Sequence, residues 1–145
     1  MSNKNTISSI LNWFEDAVPS PTEQNLAVQL GVHFEEVAEM LTSLGFGYEA
    51  LVLDSLAESL KGSLPPTLDN VDRKELLDSL CDQIVTAVGV AHMFGMDIVG
   101  ALTEVNRSNY SKFDANGKPI FNENGKLELQ FHGFFFNSAF LGVSQ

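Results

Sequence analysis

The sequence predicts an all-α protein, built as a bundle of four to five helices with a loop-rich C-terminal arm. Apolar residues recur at helical spacing through most of the first three quarters of the chain, and helix-capping residues stand at the ends of those segments. Turn signals and short strand-like runs begin only after Lys112. The 145 residues suit a single domain, with a core over about 22–112 and the arm over 113–145.

Each predicted helix has a local start or stop signal. Thr22, Asp72 and Asp97 are residue types that cap helix N termini, and Gly45 and Gly95 are of the type that ends helices. The five predicted helices cover 6–17, 22–44, 48–60, 72–94 and 97–108.

The remaining segments are predicted to be loops and turns. Residues 62–70 contain two prolines and read as a loop, and Asn116-Gly117 and Asn124-Gly125 are turn signals. The runs 118–121 and 126–131 could pair as a hairpin around the second of these turns.

The composition excludes several classes of function. With 19 acidic and 8 basic residues, the net charge is -11, which repels nucleic-acid backbones and anionic lipid. The apolar tail 131–143 is too short to span a bilayer, and the N terminus has no apolar signal segment. The single cysteine, Cys81, permits no intramolecular disulfide and is expected to be buried. We therefore expect a reduced, cytoplasmic protein that binds neither nucleic acid nor membrane.

The helix predicted over 22–44 has an apolar stripe and an acidic side. The stripe consists of Leu26, Leu30, Phe34, Val37, Leu41 and Leu44. The other side carries Asn25, Gln29, Glu36 and Glu39, flanked by His33 and Glu35. Large apolar residues are interleaved with these polar groups, namely Val28, Val32 and Met40. Another helix or a second subunit is therefore expected to cover part of the acidic side.

The helix predicted over 72–94 is the second acidic element. Glu75, Asp78 and Asp82 share one side of it, and after Leu80 the helix is apolar nearly all round, as in the interior of a bundle. Two carboxylates about 4 Å apart repel each other by roughly 4 kcal/mol at an effective dielectric constant near 20. Solvated acidic faces are one interpretation, and a bound divalent cation, Mg²⁺, Mn²⁺ or Ca²⁺, is the other.

Three blocks of residues, taken in order, resemble a known superfamily. They are Glu35-Glu36-Val-Ala-Glu39, then Asp78-Ser-Leu-Cys-Asp82, then 95–98 followed by 104–112. Together they resemble the all-α nucleoside triphosphate pyrophosphohydrolases, which include MazG-like enzymes, dimeric dUTPases and phosphoribosyl-ATP pyrophosphohydrolases. The resemblance spans roughly 25–126 and is to the bacterial and phage MazG-like type.

The resemblance implies magnesium-dependent hydrolysis of a nucleoside triphosphate to the monophosphate and pyrophosphate, in house-cleaning or pool control. The ligands it implies are Glu36 and Glu39 on the first helix, and Asp82 with Asp78 on the second. Ser79 stands where the superfamily has an acid. An alternative alignment of the motif, shifted along the helix and called here the shifted frame, uses Glu75 and Asp78 as the second pair of ligands.

The other steps of this chemistry are assigned to neighbouring residues. Glu35 or Glu36 is the candidate base that takes the proton of the attacking water. Half of the basic residues lie within 107–126, and there the resemblance implies phosphate contacts for Arg107 and Lys112, with Asn109 beside them as a neutral donor. Asn25 and Gln29, one helical turn apart, are candidates for base or sugar recognition. Trp13, Phe14 and Phe34 could stack on a base but are expected in the core.

The sequence also predicts the partners of the chain and leaves two alternatives open. Apolar residues on the acidic side and in the tail, such as Phe134, Phe135, Phe136 and Phe140, predict a homodimer or a dimer of dimers. The alternatives to the proposed activity are a non-catalytic helical module that binds a partner and a phosphoribosyl-ATP pyrophosphohydrolase. The long C-terminal arm argues against the latter.

Overall fold

The computed structural model describes residues 5–63, 70–121 and 138–142. Over these residues the chain forms five α-helices, a short 3₁₀ helix (Ser138–Leu141) and no β-strand, which confirms the all-α fold class. The α-helices are α1 (Thr6–Ala17), α2 (Glu23–Ser43), α3 (Gly47–Gly62), α4 (Arg73–Met93) and α5 (Ile98–Tyr110). The MazG-like type of bundle stays a prediction.

The helices belong to two compact units. One unit is Ser20–Asp72, which holds α2 and α3. The other is formed by the residues up to Pro19 and from Arg73 onward, which hold α1, α4 and α5. That the chain is one domain stays a prediction. No helix within the described ranges has both the length and the apolar character needed to cross a membrane.

Local signals set both ends of α2, as the sequence predicts. The Asn25 N–H donates to the Thr22 hydroxyl at 3.2 Å, and the Asn25 side-chain oxygen accepts from the Thr22 N–H at 2.9 Å, which makes a capping box. At the C terminus Gly45 has a φ of 88°, and the Phe46 N–H donates to the Leu41 carbonyl at 2.9 Å. This geometry closes a helix through a left-handed residue.

The connection between α4 and α5 also contains a glycine that ends one helix, followed by a residue that caps the next. Gly95 has a φ of 70°, and the Met96 N–H donates to the Ala91 carbonyl at 2.9 Å, so α4 ends in the same way as α2. Asp97 caps α5 because its Oδ1 accepts from the Gly100 N–H at 2.9 Å. Both predicted signals are confirmed.

The buried side of α2 differs from the predicted apolar stripe. The residues buried in the α2–α3 hairpin are small, namely Ala27, Gly31 and Ala38 on α2 and Ala50 and Ala57 on α3. Leu26 and Leu44, at the ends of the predicted stripe, are exposed. Small side chains let two helix backbones approach closely, so the contact face is centred on them and is rotated from the large apolar residues.

Sequence analysis predicts α4 inside a bundle, but the described residues of its own unit do not surround it. Ala91 is its only buried residue, and α4 packs only lightly against α5 within its unit. Cys81 is exposed, so the prediction of a buried thiol is wrong. The prediction rests on the apolar character of the helix alone, which does not specify what covers it.

The arm is described in part. The turn predicted at Asn116-Gly117 is present: Gly117 has a φ of 72°, and Phe113 and Pro119 form an isolated β-bridge across it. Near the C terminus, the Phe140 carbonyl accepts from the Asp97 N–H at 2.9 Å. The predicted strand 126–131 and residues 134–136 lie outside the described residues.

Candidate functional site

The predicted metal ligands of α2 are free to bind a cation. Glu36 and Glu39 are three residues apart, so their side chains are neighbours on the helix surface. Both are exposed, and neither makes a side-chain hydrogen bond or ion pair to another described residue. Their oxygens therefore need not break a protein contact before they bind a ligand.

Glu35 is in a different situation. Its Oε1 accepts from the Lys61 Nζ of α3 at 2.8 Å, and the same ammonium group donates to Glu58 Oε1 at 2.9 Å. The two carboxylates, Glu35 before Glu58, raise the pKa of Lys61 above its ordinary value of 10.5. Exposed fractions of 19% for the Lys61 side chain and 32% for Glu35 show that this pair is partly shielded from solvent.

The second acidic group lies on α4. Asp78 and Asp82 are four residues apart, both are exposed, and neither side chain has a hydrogen bond or ion pair within the described part of the chain. The Asp82 main-chain carbonyl accepts from the Thr86 hydroxyl at 2.9 Å, which leaves the carboxylate unaffected. Glu75, the ligand of the shifted frame, lies in the first turn of α4 and is also exposed.

The donor sets fit magnesium in kind and in number. Mg²⁺ prefers oxygen ligands, keeps several waters and is usually held by one or two carboxylates together with substrate phosphates. Each acidic pair offers that number of carboxylates. Within either unit, no three described Asp, Glu, His or Cys side chains are gathered as a closed metal site. Each pair taken by itself therefore suits a cation that shares its coordination with water and phosphate.

The two polar residues that precede the acids of α2 differ in their contacts. The Asn25 side-chain oxygen accepts from both the main-chain N–H and the hydroxyl of Thr22, at 2.9 and 2.8 Å. The amide nitrogen of Asn25 makes no hydrogen bond to another described residue. Gln29, one turn later, is exposed. The capping role of Asn25 was not part of the sequence prediction, although the spacing from Thr22 carries that signal.

The residues predicted to contact phosphate lie on α5 or just after it, and each contacts a residue close to it in the sequence. Arg107 is exposed and pairs with Glu104 at 2.8 Å, an i,i+3 pair. Lys112 Nζ donates to Asn109 Oδ1 at 2.9 Å and lies 5.7 Å from the centre of the Trp13 ring. Lys112 and Asn109 are thus brought together, whereas Arg107 contacts a different partner.

Trp13 joins α1 to α5. It is 7% exposed, and its indole N–H donates to the Asn109 carbonyl at 2.9 Å. The ring meets Phe14 and Phe113 edge to face, with centroids 4.9 and 6.0 Å away. The predicted core role of Trp13 is confirmed, and through this hydrogen bond it also fixes the end of the helix that carries Asn109.

Lys61 is the residue of this region that sequence reasoning missed. It is the first basic residue after Lys4, and it is the nearest Lys or Arg along the chain to Glu35, Glu36 and Glu39. The signal was therefore present in the charge pattern, but only the α2–α3 hairpin brings Lys61 to Glu35, 26 positions away.

Comparison of the chain with models of protein families, with curated proteins and with solved structures finds no match.

Proposed function

We propose that the chain is a magnesium-dependent hydrolase that converts a nucleoside triphosphate to the monophosphate and pyrophosphate. One observation carries the proposal: Glu36, Glu39, Asp78 and Asp82 are exposed carboxylates without a protein partner among the described residues. These are the positions at which the sequence resembles the ligands of the all-α pyrophosphohydrolases. Mn²⁺ is the expected substitute for Mg²⁺.

The proposed hydrolysis needs carboxylates that bind the metal and a carboxylate that accepts a proton. A water oxygen bonds to a phosphorus of the triphosphate as the bond to the leaving pyrophosphate breaks, and a carboxylate accepts the proton of that water. Bound Mg²⁺ would neutralise phosphate charge and acidify the water. Of the two candidate bases, Glu36 is favoured, because the ammonium group of Lys61 already neutralises Glu35.

The substrate contacts follow from α2 and α5. Lys112 and Asn109 form one donor group at the end of α5. Among the described residues, the exposed guanidinium of Arg107 pairs only with Glu104, in a surface ion pair. An incoming triphosphate can compete with such a pair. We assign these three residues to phosphate, and Asn25 and Gln29 to the base or sugar.

A second copy of the chain is the proposed protein partner. Large apolar side chains are exposed along α4, which is more than a monomeric protein usually leaves uncovered. The same observation favours a second candidate function, a non-catalytic module that binds a different protein through α4. Titration calorimetry separates the two, because the module would show no Mg²⁺-dependent binding of a nucleoside triphosphate.

Substitution at the acids tests the proposed activity. Glu36→Gln and Asp82→Asn keep the size of the side chain and remove one negative charge each, so we expect loss of turnover with unchanged helix content. Pyrophosphate release over a panel of nucleoside triphosphates measures the first effect, and circular dichroism measures the second. Full activity in both variants would refute the assignment.

The same assay decides which carboxylates of α4 bind the metal. If Asp82 is a ligand and Asp78 takes the place of the superfamily acid at Ser79, then Asp78→Asn is severe and Glu75→Gln is mild. If Glu75 and Asp78 are the ligands instead, Glu75→Gln should lose most of its turnover and Asp82→Asn should keep near-normal turnover. Measurements at saturating and at low Mg²⁺ separate lost metal affinity from lost rate.

A further inference from the structure

Helices α2 and α3 approach each other closely at Gly31. A Cβ atom added there would lie 2.7 Å from the Ala57 carbonyl oxygen and would collide with the side chain of Lys61. The methylene stem of Lys61 therefore lies directly over Gly31. This packing orders the stem, so the position of the ammonium group is set by the helix crossing.

Glu35 meets this ammonium group because it lies one turn after Gly31, on the side of α2 that faces α3. Lys61 also contacts Glu58, but that side chain is 71% exposed, against 32% for Glu35. Exposed charges are screened more strongly, so Glu35 is the more firmly held of the two partners.

The position of Glu35 on α2 puts it within reach of the metal pair. It is adjacent to Glu36 and four residues before Glu39, and side chains four apart on a helix are neighbours at about 5–6 Å between Cβ atoms. A cation at Glu39 would thus be within reach of the Glu35 carboxylate. The contact with Lys61 turns that carboxylate toward α3 instead.

We infer that Lys61 is a positioning residue that holds Glu35 out of the metal site, so that α2 presents two carboxylates, Glu36 and Glu39, instead of three. The inference rests on the proposed function, because it concerns the cation bound by that pair. It also removes Glu35 from the candidate bases, since its carboxylate makes a protein contact of its own.

Mn²⁺ binding to the full chain, followed by electron paramagnetic resonance of the free ion, tests this role without substrate. Lys61→Met keeps a stem over Gly31 and removes the ammonium group that Glu35 contacts, so we expect Mn²⁺ to bind about ten-fold tighter, as one added negative charge a few ångströms away would give. Lys61→Arg retains the cation and is expected to restore wild-type affinity.

Two double variants separate release of Glu35 from a change in net charge. Lys61→Met with Glu35→Gln and Lys61→Met with Glu58→Gln both have the net charge of the wild type. We expect the first to return to wild-type affinity and the second to stay as tight as Lys61→Met alone. If both return to wild-type affinity, net charge explains the effect and the inference is wrong.

Glu35→Gln alone covers the case in which Lys61→Met does not fold, as judged by circular dichroism. We expect its Mn²⁺ affinity to stay within about two-fold of the wild type, since an ion-paired carboxylate is not a ligand. A loss as large as that of Glu36→Gln would overturn the inference. If the wild type binds no Mn²⁺, the proposed function fails. The inference is then upheld only if Lys61→Met gains binding that Glu35→Gln removes.

Discussion

At the scale of single residues, Gly31 decides how closely α2 and α3 approach. The carbonyl of Ala57 belongs to the helix backbone and cannot move aside as a flexible side chain can. We therefore predict that Gly31→Ala destabilises the chain by about 1–3 kcal/mol, the usual cost of overpacking. Chemical denaturation at equilibrium measures the difference.

Gly47→Ala is the matched control. Gly47 begins α3 in the same hairpin, its φ is not positive, and an added Cβ would meet nothing within 4 Å. The change should stabilise the chain by about 0.4–1 kcal/mol, because alanine has less freedom to lose on folding. Equal stabilities of the two variants would show that the helices do not meet at Gly31.

Which residues the sequence identifies depends on how local their signals are. Thr22 and Asp97 were predicted as caps because a cap acts on backbone groups two or three positions away. The Lys61–Glu35 pair joins two helices, and the buried side of α2 is defined by Gly31 and its alanines instead of by large residues. Both depend on how α3 crosses α2, which periodicity alone does not specify.

At the scale of elements, the turn after α5 is organised by one carboxylate. Asp114 Oδ1 accepts from the N–H groups of Lys118 and Asn116, at 2.9 and 2.8 Å. These hydrogen bonds, that of Lys118 first, hold the pKa of Asp114 below its ordinary value of 3.8. A carboxyl group with a lowered pKa stabilises the folded turn above its ordinary value, and that stabilisation is lost as the pH falls through the folded value.

We predict that the turn keeps its structure at neutral pH and loosens only below pH 3.8, the ordinary value of the carboxyl group. Amide chemical shifts of Asn116 and Lys118 in an NMR titration report the change. Asp114→Asn keeps the accepting oxygen and removes the charge, so its shifts should not follow this titration. A wild-type transition well above pH 3.8 would contradict the proposed hydrogen bonds.

The sequence predicts the bounds of α4 but not its surroundings. The bounds of the helix were predicted to within one residue, since Arg73–Met93 compares with 72–94. Its environment was not predicted, because an apolar surface specifies that a cover is needed but does not specify which chain supplies it. Val85 is 67% exposed and Met93 82% exposed, so the described residues of its own unit do not cover these side chains of α4.

At the scale of the whole molecule, we predict a homodimer in which α4 is covered by the second copy. Sedimentation velocity at micromolar concentration should give about twice the chain mass of 15.9 kDa. Val85→Glu places a charge in the apolar surface and should yield monomers, because burying an unpaired carboxylate costs several kcal/mol. Gln83→Glu adds the same charge at a polar position of α4 and should leave the dimer intact. A wild-type monomer, or equal dissociation of the two variants, would show that this surface does not join two copies.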